Sequence, residues 1–198
     1  MTVGTLAEFS WDRMTAAVDG VRDRACRATA ALRQAEIPHV VIEGHAVASW
    51  VARVDREAVR NTKDVDLLVR RDDFASIIEV LESIGFIHQQ VHGVDLFLDG
   101  PVGSVRSAIH ILFAGEKVRP EDLFPTPDIT EVEPAVDFSV PTLDALVRMK
   151  LTSFRLKDQV HLIDLLEVGL IDETWMDRIP GELRERFLQV MESKDREA

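Results

Sequence analysis

With 198 residues, the chain is long enough for one large domain or for a core carrying a small second lobe. Apolar residues make up 46% of it without any long uninterrupted span, which points to a soluble globular protein and against a membrane-crossing one. A net charge of −12 argues against a general nucleic-acid binder, and the single cysteine, Cys26, excludes an internal disulfide and suits a reducing compartment.

In chain order, MTVGTLAEFSWDR lacks the basic start and apolar stretch of a leader peptide, so the expected location is the cytoplasm. Residues 12–35 carry Val18, Val21, Ala25, Ala28 and Leu32 at helical spacing and predict an amphipathic helix that Pro38 terminates. HVVIEG (39–44) reads as a short strand closing on a glycine turn at Gly44, and AVASWVARV (46–54) as a helix. A polar loop leads to DVDLLV (64–69), the second strand. Asp72 is placed to cap a helix over 73–85, with Gly85 as its stop.

FIHQQV (86–91), VDLFLD (94–99) and SAIHILFA (107–114) read as further strands, the first two joined at His92 and Gly93. Residues 115–141 are rich in proline and acid, a solvated connector with FSV (138–140) as an edge strand. Beyond Pro141 the pattern is helical: 142–169, then 172–179, then 180–193. Trp11, Trp50 and Trp175 read as core or lobe-packing anchors. The expected class is α+β: a mixed β-sheet with flanking helices over residues 1–140, then a helical lobe over 141–198.

The stretch NTKDVDLLVRR (61–71) sets Asp64 and Asp66 two apart in a strand, hence on one face. Two adjacent carboxylates repel, and burying either without a partner costs several kcal/mol. A hard divalent cation would remove that repulsion, because Mg²⁺ prefers carboxylate oxygens and leaves positions open for substrate phosphates. The alternative is a strand end whose aspartates are solvated or paired with Lys63 and Arg70. Upstream, the strand, glycine and helix of VVIEGHAVASWV would bring backbone N–H groups to an anion. Basic residues cluster around the pair (Arg53, Arg56, Arg60, Lys63, Arg70, Arg71) and again at Arg148, Lys150, Arg155 and Lys157. Such a local groove on an acidic protein suits a small polyphosphate better than a long nucleic acid.

Gly44-His45-Ala46 followed by Thr62 to Leu68 resembles the glycine-turn and Asp-x-Asp signature of the nucleotidyltransferase superfamily. Lys150-Leu-Thr-Ser-Phe-Arg155-Leu-Lys157-Asp158 is similar to a stretch in the nucleotidyltransferase toxins of abortive-infection and type IV toxin–antitoxin systems. The resemblance implies a nucleotidyltransferase-like sheet and transfer of a nucleoside monophosphate from a nucleoside triphosphate (NTP) to a hydroxyl acceptor. That acceptor would be a small molecule, a protein or a tRNA end. It implies Mg²⁺ (or Mn²⁺) on Asp64 and Asp66, and triphosphate contacts from Gly44, His45 and Lys63. Lys150 would reach the phosphates from the helical lobe, with Arg155, Lys157 and Asp158 completing that side. A toxin- or defence-like role and an antitoxin partner follow from the same likeness. On a single helix Lys150 and Lys157, seven apart, would share a face.

Three histidines depart from the pattern. His45 stands where a second small residue is usual, His110 where a third carboxylate is usual on a later strand, and His161 where an aspartate is frequent. His110 would then serve as the base, as a ligand suited to Mn²⁺ or Zn²⁺, or as a packed strand histidine. Asp95 is an alternative source of the missing carboxylate. These departures keep a second reading open, a catalytically degenerate nucleotide-binding or protein-interaction module. No nucleophile elbow surrounds Ser49 or Ser153, and the six histidines show no zinc spacing.

Overall fold

The computed structural model describes residues 10–197; the first nine, part of the stretch read for a leader, lie outside the described residues. Helix α1 (Trp11–Gln34) buries Val21, Ala25, Ala28 and Leu32 along one side, as the 3.6-residue spacing expects, whereas Val18 of the same expected stripe is exposed. Strand β1 (His39–Val41) follows, and helix α2 (Glu43–Val51) begins earlier than the apolar pattern suggests. The left-handed turn falls on Glu43 (φ +57°), and Gly44 already lies inside the first turn of α2.

Next come β2 (Val65–Val69), α3 (Phe74–Ser83), β3 (Phe86–Val91), β4 (Val94–Asp99) and β5 (Ile109–Phe113). Asp72 lies in a short 3₁₀ turn, Arg71–Asp73, and no side-chain bond caps α3. Gly85 stops that helix with φ +93°, and positive φ at both His92 and Gly93 closes the β3–β4 hairpin.

The five strands form one mixed sheet in the order β1-β2-β5-β4-β3, with β2 and β5 parallel and every other pair antiparallel. Alternation along the strands then sorts the two faces. Val65, Leu67 and Val69 of β2 join Ile109 and Ile111 of β5 against α1 and α3. The opposite face carries Val40, Leu68 and Leu112, which pack on Ile129 and Met149. The same parity sends Asp66 and His110 to this second face.

The proline-rich segment holds a two-stranded hairpin, β6 (Val132–Pro134) and β7 (Ser139–Pro141), where one edge strand was expected. The helical run 142–169 is two helices, α4 (Leu143–Ser153) and α5 (Leu156–Glu167). Phe154 takes φ +48° and Arg155 is extended, which ends one helix and starts the next without glycine or proline. Lys150 and Lys157 therefore sit on different helices, not on one shared face. Two 3₁₀ turns, Glu173–Asp177 and Gly181–Leu183, lead into α6 (Arg184–Glu197).

Trp50 of α2 packs with Leu146, Leu162, Trp175 and Phe187 in one apolar cluster, and its Nε1 donates to the carbonyl of Pro141 at 3.0 Å. The division expected near residue 140 thus falls within β7, and α2 contributes to the helical cluster beyond it. Trp11 is no anchor: it is 72% exposed near the start of α1. No helix among the described residues is long and apolar enough to cross a membrane.

Candidate active site

Asp66 lies in β2 and Asp64 just before it, and both open onto two hollows. One, of about 270 Å³, is walled by Glu43, His110, Met149, Arg155 and Lys157. The other, of similar size, is walled by Gly44, Lys63, Lys157 and His161. They meet along Asp64, Asp66 and Lys157. Among the described residues, the only basic group within 4.0 Å of either aspartate is His110, whose Nδ1 stands 3.6 Å from Asp66 Oδ1. Burial, then the nearby charge of Glu43, pushes the Asp66 carboxyl up to about 7, against the pull of Lys157. Burial first, and the neighbouring carboxylates second, disfavour the ionised form of Asp66.

Glu43 is the residue that sequence reasoning passed over. In the sequence it reads as the end of the strand HVVIEG, and its only signal is a charged residue just before Gly44. Its carboxylate is buried at the mouth of the cleft, bonded to Lys150 Nζ and to Arg155 Nη2 at 3.2 Å, with Lys157 Nζ 4.0 Å away. Burial would raise its pKa, but the charges of Lys150 and Arg155 outweigh burial and hold it below the ordinary carboxylate value. A non-glycine residue at φ +57° costs about 1–3 kcal/mol, and such outliers persist where the surroundings overdetermine them. Here the surroundings are the lysine and arginine clamp.

Lys150 is fully buried and bonds Asp158 Oδ1 at 3.0 Å as well as Glu43. That location removes the role expected for it, a mobile cation swinging onto phosphate. Asp158 is equally enclosed. It accepts from Ser153 Oγ at 2.6 Å, from Arg155 Nε at 2.7 Å and from the Arg155 backbone N–H at 3.0 Å. Burial opposes its ionisation, yet these donors and Lys150 hold its pKa far below the usual range. By reaching back to the Arg155 N–H it caps α5, so it braces the helix break and does not face a ligand. Arg155 and Lys157 do line the cleft.

Gly44 borders the second hollow, but its lack of a side chain serves the protein itself. A Cβ there would lie 2.8 Å from Thr62 Oγ1, so glycine lets the loop leading to Asp64 rest on α2. Lys63 is exposed on that loop. His45 turns away from the aspartates into a separate groove, its ring edge-on to Phe138, and burial lowers its pKa. His161 borders the second hollow as a neutral imidazole, since burial and then Lys150 lower it to about 4. Asp95 cannot supply a third carboxylate. Its neighbour Leu96 pairs with His110, so Asp95 points to the opposite face, where it bonds His88 Nε2 at 2.9 Å. The segment expected as a solvated connector instead walls the cleft through Val118, Arg119, Asp122 and Phe124, with Asp122 buried.

Two groupings present themselves to a cation. Asp64 and Asp66 offer hard oxygens open to both hollows, a donor set that fits Mg²⁺ or Mn²⁺. Glu43, Asp158 and His161 also bring one ligand atom each within 4.8 Å of one another. The ammonium of Lys150 already bonds the first two, so a protein cation takes that centre.

No protein-family model matches the chain, and no curated protein matches it. Solved structures do. The solution structure of the antibiotic-resistance factor ANT(2'')-Ia superposes with a TM-score of 0.54 at 13% identity, over 92% of this chain and 97% of that one. The crystal structure of ANT(2'')-Ia in complex with adenylyl-2''-tobramycin gives 0.55 at 12%, over 86% and 98%. An antigenic nucleotidyltransferase-like protein from Paracoccidioides brasiliensis is similar at a TM-score of 0.43 and 16% identity, over 82% and 78%. At these identities the likeness to the two ANT(2'')-Ia structures is one of fold: a mixed sheet with flanking helices.

Proposed function

We propose that this chain is a divalent-metal-dependent nucleotidyltransferase that moves a nucleoside monophosphate from an NTP to a hydroxyl on a small acceptor. The observation that carries the reading is the Asp64–Asp66 pair, facing one cleft and joined by no lysine or arginine within 4.0 Å among the described residues. An acceptor oxygen attacks the α-phosphorus and pyrophosphate leaves, so the protein's part is to position reactants and offset charge. Asp64 and Asp66 would hold the cation, which when bound supplies electrophilic stabilisation of the phosphate oxygens. Lys157, shared by both hollows, and Arg155 would bind phosphates. Gly44 and the start of α2 offer backbone N–H groups to the triphosphate in the second hollow.

The first hollow, with Glu43, Asp122 and apolar Leu112 and Met149, is left for the acceptor. Its modest size favours a small alcohol over tRNA. The relative captured with adenylyl-2''-tobramycin carries such a molecule. The toxin- or defence-like role and the antitoxin partner rest on the Lys150 to Asp158 stretch. Much of its polar capacity is spent inside the fold, so the transfer reading requires neither.

The test is transfer of label from α-labelled NTP with Mg²⁺ or Mn²⁺ to small-molecule extract, comparing the parent with Asp66→Asn. Label moved by the parent and lost in the variant supports the reading; equal labelling by both removes it. The degenerate-module alternative is favoured by a histidine, His110, standing beside Asp66 where the resemblance implies a third carboxylate. It predicts nucleotide binding by calorimetry with no transfer in either protein.

A further inference from the structure

The parallel register of β2 and β5 sets Asp66 directly beside His110. On β5, Ile109 and Ile111 enter the core under α1 and α3, whereas Leu112 packs on the opposite face with Leu68. His110 shares that second face and is not sealed by packing, its side chain remaining 23% exposed at the cleft. The histidine therefore occupies a site position and not a core position.

Its Nδ1 lies 3.6 Å from Asp66 Oδ1, too far for a hydrogen bond. Two donors on one cation, each at roughly 2.1 Å and separated by about 90–120°, stand roughly 3.0–3.6 Å apart. The observed spacing falls inside that interval, with Asp64 on the same rim. We propose that His110 Nδ1 is a third protein ligand of the cation held by Asp64 and Asp66, so that the site prefers a transition-metal ion such as Mn²⁺ to Mg²⁺. The inference rests on reading the aspartate pair as a cation site. Its chemical basis is the donor set: Mg²⁺ demands oxygen ligands, whereas first-row transition ions accept imidazole nitrogen alongside carboxylate. With its Nδ1 lone pair committed to a cation, His110 gives up the role of base at that atom.

The experiment uses the full chain with Mn²⁺ alone, read by pulsed electron paramagnetic resonance for nitrogen coupling and by titration for affinity. The expected result is ¹⁴N modulation in the parent that disappears in His110→Ala, with Mn²⁺ affinity falling ~10-fold or more. His110→Asp, a second variant that keeps a ligating side chain, is expected to lose the modulation and gain Mg²⁺ affinity relative to Mn²⁺. Circular dichroism of both variants checks folding. Mn²⁺ bound by the parent and lost in Asp66→Asn, but without nitrogen coupling, would overturn the role of His110 and leave the cation site standing. Coupling that persists in His110→Ala would do the same. Absence of Mn²⁺ and Mg²⁺ binding in the parent would remove both.

Discussion

Two acidic regions lie side by side in this molecule and have been treated oppositely by the fold. At Lys150, every charge is answered: Glu43, Asp158, Arg155 and Ser153 satisfy one another inside the protein. At Asp64 and Asp66, two carboxylates face a cleft where, among the described residues, no lysine or arginine comes within 4.0 Å, and burial pushes Asp66 up to about 7. The saturated network is a structural device, and the pair left without such partners is the proposed cation site. The sequence motif that pointed to phosphate binding, Lys150 to Asp158, divides accordingly: Lys150 and Asp158 build the frame, and Arg155 and Lys157 reach the opening.

The comparison breaks most visibly at Lys150. Lys150→Met removes a fully buried ammonium and leaves Glu43 and Asp158 enclosed with their charges only partly answered by Arg155. Removing one partner of a buried ion pair costs about 3–5 kcal/mol. The expected outcome is that large a drop in urea-unfolding free energy, with Mn²⁺ affinity at Asp64 and Asp66 much less changed in the folded protein. If stability barely moves, the network is not the brace described.

Asp66→Asn is expected to act in the other direction. The native carboxyl titrates at about 7 and an unfolded aspartate at about 3.9, so between those values the native state holds the extra proton. Stability from this group therefore declines as pH rises from about 4 to about 7 and is level above that window. The total is on the order of 4 kcal/mol at most, a shift of roughly three units at 1.36 kcal/mol each. Urea midpoints near pH 5 and pH 8 are expected to converge in Asp66→Asn relative to the parent, and the variant is expected to be the more stable at the higher pH. Added Mn²⁺ is expected to stabilise the parent alone at that pH. A parent and variant with parallel pH profiles would show that Asp66 carries no excess charge burden.

Periodicity made the elements legible, but close contacts and backbone exceptions were not. The α1 stripe, the strands 86–91 and 94–99 and the stop at Gly85 follow from spacing and turn chemistry that need no knowledge of neighbours. The Asp64–Asp66 spacing was legible too, although Asp64 lies just before β2 and it is the two shared hollows that bring the carboxylates together. The break at Phe154 was not, because a left-handed phenylalanine leaves no glycine or proline to mark it. The role of Gly44 was misplaced by one position, because steric room for Thr62 and freedom to turn both look like a glycine in the sequence. His110 could be placed beside Asp66 only once the β2–β5 register was known, and the same register excluded Asp95.

The finest division between frame and site runs through Glu43, which belongs to both. Its carboxylate completes the Lys150 network, yet its charge is also the largest influence on Asp66 after burial. Its backbone is strained at φ +57°, where glycine would be at ease. Glu43→Ala and Glu43→Gly both delete the carboxylate and differ mainly in whether a Cβ must tolerate the left-handed turn. Glycine is therefore expected to be the more stable of the two by about 1 kcal/mol, even though it is the poorer residue in an ordinary helix. Both variants are expected to bring the Asp66 titration down, seen as a weaker pH dependence of stability between about pH 5 and pH 8. Alanine equal to glycine, in paired urea-unfolding curves, would mean that the strain is absent and that Glu43 sits where it does for its charge alone.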